Sequence, residues 1–113
     1  MKLNEIIKKL NLKVLTAKDK LETEVSGGYT SDLLSDVMAN SREGNLWVTL
    51  QTHLNIIAVA KLKDLAGIII VNNRQPDQET TRKAEEEKVP LLATGSTAFK
   101  ISGELFELIG PKD

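Results

Sequence analysis

The sequence contains no cysteine. This absence excludes disulfide bonds, thiolate nucleophiles and thiolate metal ligands, and it is typical of proteins in a reducing compartment. His53 is the only histidine, which excludes a metal site built from several histidines. The acidic run 85–87 is predicted to lie on a helix rather than in a cation-binding loop. We therefore expect no metal ion and no other cofactor.

Long hydrophobic stretches are also missing. The longest apolar runs, 56–60 and 65–71, are far shorter than the roughly eighteen residues that a membrane span needs. At the amino terminus, Glu5 lies close behind Lys2 and no long apolar segment follows, unlike a signal peptide. We therefore expect a soluble, cytoplasmic protein without membrane contact.

Charge of one sign is not in excess. Fifteen Lys and Arg residues face sixteen Asp and Glu residues, for a net charge of −1. The basic residues are scattered rather than gathered in a stripe that could follow a phosphate backbone, so nucleic acid is not an expected partner. With 113 residues, 41% of them hydrophobic, the sequence suits one domain over residues 1–113.

Strand and helix patterns alternate along the chain. The β-branched run 67–71 is typical of a central parallel strand buried on both faces. Shorter strands are predicted at 21–25, 46–49 and 90–93, with a brief apolar run at 12–16. Helices are predicted at 3–10, after a cap at Thr30 or Ser31, and at 53–63, 78–88 and 98–109. This alternation predicts a small layered α/β fold with a mostly parallel central sheet flanked by helices.

Connections after parallel strands emerge at one edge of the sheet, where ligands bind near helix N-termini. Thr52 is predicted to cap the helix at 53–63, and Ser96 or Thr97 the last helix. The predicted ligand-binding rim comprises Gly27, Gly28, Tyr29, Thr49, Gln51, Thr52, His53 and Thr94.

Four of these residues have more than one interpretation. The pair Gly27 and Gly28 indicates either a tight turn that ends a strand or a cradle for an anion. His53 either hydrogen-bonds the preceding loop or contacts a ligand or a second subunit. Tyr29, after the two glycines, is open to contact with a nucleotide or a partner.

The residue sets of familiar enzymes are not recognisable. No Gly-Lys pair is present, so a nucleotide kinase's phosphate-binding loop is missing. Ser96 has no histidine within sequence reach to serve as a base. A hydrolase or kinase that uses His53 as a general base would lack a recognisable partner set. No catalytic residue is predicted.

The helix at 53–63 is apolar nearly all round and must be covered on more than one side. Its first apolar face consists of Leu54, Ile57, Ala58 and Leu62. Ile56, Val59 and Ala60 occupy much of the remainder. The second cover is either another layer of the domain or a second subunit, and these three residues are the predicted homodimer interface.

The segments 28–39 (GYTSDLLSDVMA), 43–55 (EGNLWVTLQTHLN) and 62–71 (LKDLAGIIIV) resemble the DRTGG domain family. The likeness extends from about Val25 to Leu108, and the block 51–55 is its most specific part. Of the five letters of the family's name, only Gly27 and Gly28 stand here.

The resemblance implies the α/β fold shared with the N-terminal domain of HPr kinase, which is regulatory rather than catalytic. Similar domains lie between CBS modules of regulated pyrophosphatases and before the catalytic part of some phosphotransacetylases, where they assist dimerisation and regulation. We therefore expect a non-catalytic, ligand-sensing regulatory module that acts as a homodimer and binds an adenine nucleotide or another small anionic ligand. The alternative is a pure protein–protein interaction module that docks on a separate metabolic enzyme.

Overall fold

The computed structural model describes residues 1–111. Its strands are β1 (Lys13–Val14), β2 (Gly27–Thr30), β3 (Asn45–Thr49), β4 (Gly67–Ile70) and β5 (Leu91–Ala93). Its helices are α1 (Leu3–Leu10), α2 (Leu34–Asn40), α3 (Asn55–Lys63), α4 (Gln78–Glu86) and α5 (Ala98–Ile109).

The strands form one five-stranded sheet in the order β1-β5-β4-β3-β2. Strands β2 to β5 are parallel to their neighbours, and only β1 pairs in the antiparallel sense, with β5. The predicted α/β class with a mostly parallel sheet is therefore confirmed. Within residues 1–111, no helix combines the length and apolar character that a membrane crossing requires.

The core has two layers, one on each face of the sheet. Alternate residues of a strand point to opposite faces, so Ile69 packs in one layer, and Ile68 and Ile70 pack in the other. The Ile69 layer is completed by α1 and α5, and the opposite layer by α2, α3 and α4. The β-branched run of β4 is thus buried on both sides, as its sequence predicts.

The face of α3 that carries Ile56, Val59 and Ala60 is covered within a single chain, whereas Leu62 of the same helix is exposed. Ile56, Val59 and Ala60 retain only 0, 8 and 2% of their exposure, because α3 lies on the sheet between α2 and α4. The second cover is another part of the same domain. The apolar character of α3 therefore no longer indicates a subunit interface, and these three side chains are not accessible to a second subunit.

The sequence suggested that the glycine pair ends a strand. In the structure the pair begins one. Gly27 and Gly28 pair with Asn45 and Leu46 at the start of β3. The preceding segment, predicted as a strand, makes only an isolated bridge from Glu24 to Lys2. The reason is that its backbone forms hydrogen bonds with the start of α1 rather than with a neighbouring strand.

Two of the predicted helix caps are wrong. The Ser31 N–H donates to the Val48 carbonyl at 3.2 Å, which continues the β2 ladder, so α2 begins only at Leu34. Thr52 makes no cap, and α3 begins at Asn55.

Two other helix ends agree with the sequence. The Thr97 hydroxyl accepts a hydrogen bond from the Lys100 N–H at 3.2 Å and caps α5. Asn11, with a φ of 54°, ends α1 in the left-handed conformation.

Candidate functional site

The predicted rim is divided between the two edges of the sheet. Strands β2 to β5 are parallel, so their outgoing loops share the carboxyl edge. Thr49, the loop 51–53 and Thr94 lie at this edge. Gly27 and Gly28 begin β2 and lie toward the amino edge instead. The structure therefore separates the two groups of predicted rim residues along the strands.

At the carboxyl edge, Asp32 organises the loop that follows β3. Its Oδ1 atom accepts hydrogen bonds from the Thr49 hydroxyl at 2.9 Å and from the Leu50 N–H at 2.7 Å. The Gln51 side-chain amide donates to the Asp32 carbonyl at 2.8 Å. Thr49 and Gln51 therefore hold the loop in place. No pattern in the sequence indicated this role of Asp32.

Thr52 and His53 also make local contacts. The Thr52 carbonyl accepts hydrogen bonds from the Thr80 hydroxyl at 2.8 Å and the Asp77 N–H at 3.2 Å. The exposed His53 accepts the Asn55 N–H on its Nδ1 atom at 3.2 Å. His53 thus hydrogen-bonds the backbone, although its partner lies after it rather than in the preceding loop.

The outgoing loops of β4 and β5 diverge. After β4 the chain turns to α4, on the face of α2 and α3, whereas after β5 it crosses to α5 on the opposite face. Such a divergence marks the position where open α/β sheets bind ligands. The backbone N–H groups of Asn72 and Asn73 donate to the carbonyls of Ser96 and Thr94 at 2.9 and 3.0 Å, which joins the two loops.

A crevice, the β4/β5 crevice, opens beside this junction. Its volume is about 570 Å³, within the usual range of small-molecule sites. Its charged side chains are Lys9, Lys13, Lys100 and Glu104. Predicted rim residue Thr94 also lines it. Three ammonium groups and one carboxylate make this crevice favourable for an anion.

No sequence pattern indicated that these lysines lie together in the crevice. Lys9 comes from the end of α1 and Lys13 from β1. Their proximity to Thr94 results from the antiparallel pairing of Lys13 with Ala93. The sequence feature that marks this edge of the sheet is the Asn72-Asn73 turn. In the structure both asparagines adopt positive φ angles, of 60° and 59°.

A second cavity, the β2 groove, follows the open edge of the sheet and also has a volume of about 570 Å³. The predicted residues Gly27, Gly28 and Tyr29 line it, together with Arg42 and Phe106. Among the described residues, Arg42 is the only charged side chain in its wall. This groove is more apolar than the β4/β5 crevice.

The Tyr29 hydroxyl, at the side of this groove, is engaged with Asp36. The hydrogen bond to Asp36 raises the pKa of the Tyr29 phenol above its usual value of 10.0. Hydrogen bonds from Ser31, Tyr29 and Asn40 lower the pKa of the Asp36 carboxyl below 3.8. Tyr29 therefore stays protonated at neutral pH and orients α2.

Across residues 1–111, no three histidine or acidic side chains gather in a way that could hold a metal ion.

These features define a small α/β domain with a basic crevice at its carboxyl edge. No protein-family model matches the chain, and no curated protein is similar to it in sequence. Its fold is similar to that of the CBS and DRTGG domains in the regulatory region of Clostridium perfringens pyrophosphatase, solved in complex with the activator diadenosine tetraphosphate. The TM-score is 0.72 over 96% of this chain, with 14% sequence identity, and the match covers 46% of the pyrophosphatase chain. The likeness shows that the chain has a DRTGG/CBS-like fold.

Proposed function

We propose that this chain is a single-domain, non-catalytic regulatory module that binds a phosphate-bearing ligand, such as an adenine nucleotide, in the β4/β5 crevice. One observation carries the proposal. Lys9, Lys13 and Lys100 line a cavity of about 570 Å³ at the point where the loops of β4 and β5 diverge.

The chemistry of the crevice fits a phosphate group. Each lysine ammonium offers three hydrogen-bond donors, and charge-assisted bonds to phosphate are stronger than neutral ones. The N-terminus of α5 lies at the same edge and also favours negative charge. Because the lysines belong to α1, β1 and α5, a bound phosphate would connect three elements. Ligand binding would then stiffen the domain, which is how a regulatory module can report occupancy.

The structural neighbour supports the ligand class. It belongs to a regulatory region that was solved with a dinucleotide activator. We therefore favour adenine nucleotides over other phosphate compounds, and regulation over catalysis. We further propose that the module acts in the cytoplasm as a homodimer. The lack of cysteine supports a reducing compartment.

A thermal-unfolding screen tests the ligand proposal. The full chain is heated with ATP, ADP, diadenosine tetraphosphate, acetyl phosphate or pyrophosphate, and with adenosine as the control without phosphate. A ligand at a hundredfold its dissociation constant should stabilise the domain by about 2.7 kcal/mol. That stabilisation raises the Tm of a domain of this size by roughly 10 °C.

The matched variants are two lysine pairs. The Lys9→Ala/Lys13→Ala variant should lose the shift in Tm. The Lys18→Ala/Lys61→Ala variant removes the same charge outside the crevice and should keep the shift. The proposal is rejected if no phosphate compound raises the Tm, or if both double variants respond as the wild type does.

A second candidate is docking on a separate metabolic enzyme through the β2 groove. The favouring observation is the open edge of β2. Because Ser31 donates to Val48 and alternate residues of a parallel strand face opposite sides, the backbone groups of Gly28 and Thr30 face outward. An extended segment of a partner can add to such an edge. This candidate predicts that a metabolic enzyme co-purifies with the wild type and not with Arg42→Glu, while the nucleotide response of the two proteins is equal.

A further inference from the structure

The outward face of α5 carries two exposed aromatic rings. Phe99 is 91% exposed and Phe106 is 63% exposed. They are seven residues apart, or about two helical turns, and so lie on the same side. Gly103 lies between them on this side, and a Cβ placed there would meet nothing within 4 Å. We call Phe99, Gly103 and Phe106 the α5 stripe.

The α5 stripe is not needed by the fold of one chain. The opposite side of α5 contributes Ile101 and Leu105 to the core, and both are buried. Two large rings left in water represent apolar area that burial would stabilise. Among the residues that the structure describes, the stripe is therefore a helix face without a partner.

We infer that a second copy of this chain covers the α5 stripe, with the two α5 helices packed antiparallel about a two-fold axis at Gly103. In that arrangement a residue before Gly103 faces one equally far after Gly103 in the other copy. Phe99 is four residues before and Phe106 three after, so Phe99 packs against the partner's Phe106. The two glycines face each other and allow close approach of the helices, with a pair of rings on either side.

Charge complementarity is the argument for a second copy rather than another occupant. Lys100 and Glu107 flank the α5 stripe on one side, also seven residues apart. Lys100 is three residues before Gly103 and Glu107 is four after, so each Lys100 lies beside the partner's Glu107, twice by symmetry. In a parallel pair related by a two-fold axis, the flank that carries Lys100 and Glu107 would lie on opposite sides of the interface in the two copies, so Lys100 would not meet the partner's Glu107.

Within residues 1–111, no ion pair explains these two charges. Lys100 and Glu107 are about 10 Å apart along the helix axis. Among residues 1–111, neither forms a salt bridge with another residue. Both are exposed and able to pair across a two-fold axis.

The inference specifies the homodimer part of the proposed function. Because Lys100 also lines the β4/β5 crevice, the dimer is tested without a ligand. Its test is sedimentation equilibrium of the full chain at micromolar concentrations and low salt, without nucleotide. The wild type should dimerise. Phe99→Glu should raise the dimer dissociation constant about 30-fold or more, the size of an interface hot spot.

The matched control for Phe99→Glu is Leu62→Glu. Leu62 is 73% exposed on α3, and its replacement should leave the dissociation constant within about twofold. Circular dichroism checks that both variants are folded. Gly103→Leu is a second test. A larger side chain has free space in one chain but would separate the paired helices, so this variant should also raise the dimer dissociation constant.

Charge reversal tests the orientation. Glu107→Lys should raise the dissociation constant about threefold to fivefold, as expected for exposed ion pairs. The Lys100→Glu/Glu107→Lys double variant restores both pairs and should dimerise as the wild type does. High salt should reduce the difference between the single and double variants.

Three results would overturn the inference. They are a monomeric wild type, a Phe99→Glu variant that dimerises as the wild type does, and a double charge reversal that restores nothing. Each concerns the mass of the protein in solution, whereas the ligand proposal is decided by the change in Tm. Failure of one is therefore distinguishable from failure of the other.

Discussion

The Tyr29 hydroxyl donates a 2.8 Å hydrogen bond to the Oδ1 atom of Asp36. The Asn40 side-chain amide donates to the same oxygen at 2.9 Å. The first bond joins the edge strand β2 to α2, and the second lies within α2. They shift the two pKa values in opposite directions, so the domain's stability should depend on pH at both ends of the scale.

At low pH, the relevant group is Asp36, whose pKa is lowered in the folded state from 3.8. Its contribution to stability is present above this value and is lost as the pH falls through the folded pKa. At high pH, the relevant group is Tyr29, whose pKa is raised from 10.0. Its contribution is present below pH 10.0 and is lost as the pH rises through the folded pKa.

We predict that Tyr29→Phe removes this alkaline loss of stability. Tyr29 is the only tyrosine, so no other phenol titrates. The measurement is the urea midpoint against pH, followed by the fluorescence of Trp47. Equal alkaline slopes for wild type and variant would contradict the assignment.

Removing the Asp32 side chain should destabilise the domain. Asp32→Ala leaves the Leu50 N–H and the Thr49 hydroxyl without their partner. We expect a loss of about 1–3 kcal/mol in the free energy of unfolding and faster hydrogen exchange at the Leu50 amide. Glu43→Ala, which removes an exposed carboxylate without a hydrogen bond among the described residues, should stay within about 0.5 kcal/mol of the wild type. Similar losses in both variants would show that Asp32 does not organise the loop.

Alanine should be much more destabilising at one strand glycine, Gly67, than at another, Gly28. At Gly67 an added Cβ would lie 3.0 Å from the Pro90 carbonyl oxygen and 3.3 Å from a Leu46 methyl group, which would force β4 and β5 apart. We expect Gly67→Ala to reduce the free energy of unfolding by about 1–3 kcal/mol. At Gly28 the nearest atoms lie at 3.6 Å, an ordinary contact, so Gly28→Ala should change stability by less than about 1 kcal/mol. The measurement is the Tm of both variants, and equal changes in Tm for Gly67→Ala and Gly28→Ala would contradict this account of the glycines.

The buried Thr16 hydroxyl should contribute more to the stability of the fold than the Thr16 methyl group does. It donates to the Val89 carbonyl at 2.7 Å and accepts the Leu91 N–H at 3.0 Å. Thr16→Val keeps the shape but leaves two buried backbone groups unpaired, so we expect a loss of about 2 kcal/mol or more. Thr16→Ser keeps both bonds and should lose about 1 kcal/mol or less. Chemical denaturation of the two variants gives the comparison, and a larger loss for serine would refute it.

The parts of the fold that could be predicted are those with local causes. The run 67–71 is apolar and β-branched at every position after Gly67, so a strand buried on both faces was its natural interpretation. Asn11 and Thr97 end and begin helices through their own conformation or hydroxyl group. These features require no knowledge of distant contacts.

The remainder depends on contacts between residues far apart in sequence. Two glycines make a poor strand signal, and only the pairing with β3 identifies Gly27 and Gly28 as the beginning of β2. The cover over Ile56, Val59 and Ala60 of α3 comes from the sheet, α2 and α4 of the same chain. The lysines of the β4/β5 crevice meet Thr94 only because Lys13 pairs with Ala93.

The two backbone hydrogen bonds that join the loops after β4 and β5 have a consequence for divergence among homologous chains. Carbonyl groups of Thr94 and Ser96 accept these bonds, and every amino acid carries a carbonyl group. Mutation at either position can thus exchange one side chain for another while the main-chain frame persists. New chemical preferences can evolve here without a new architecture.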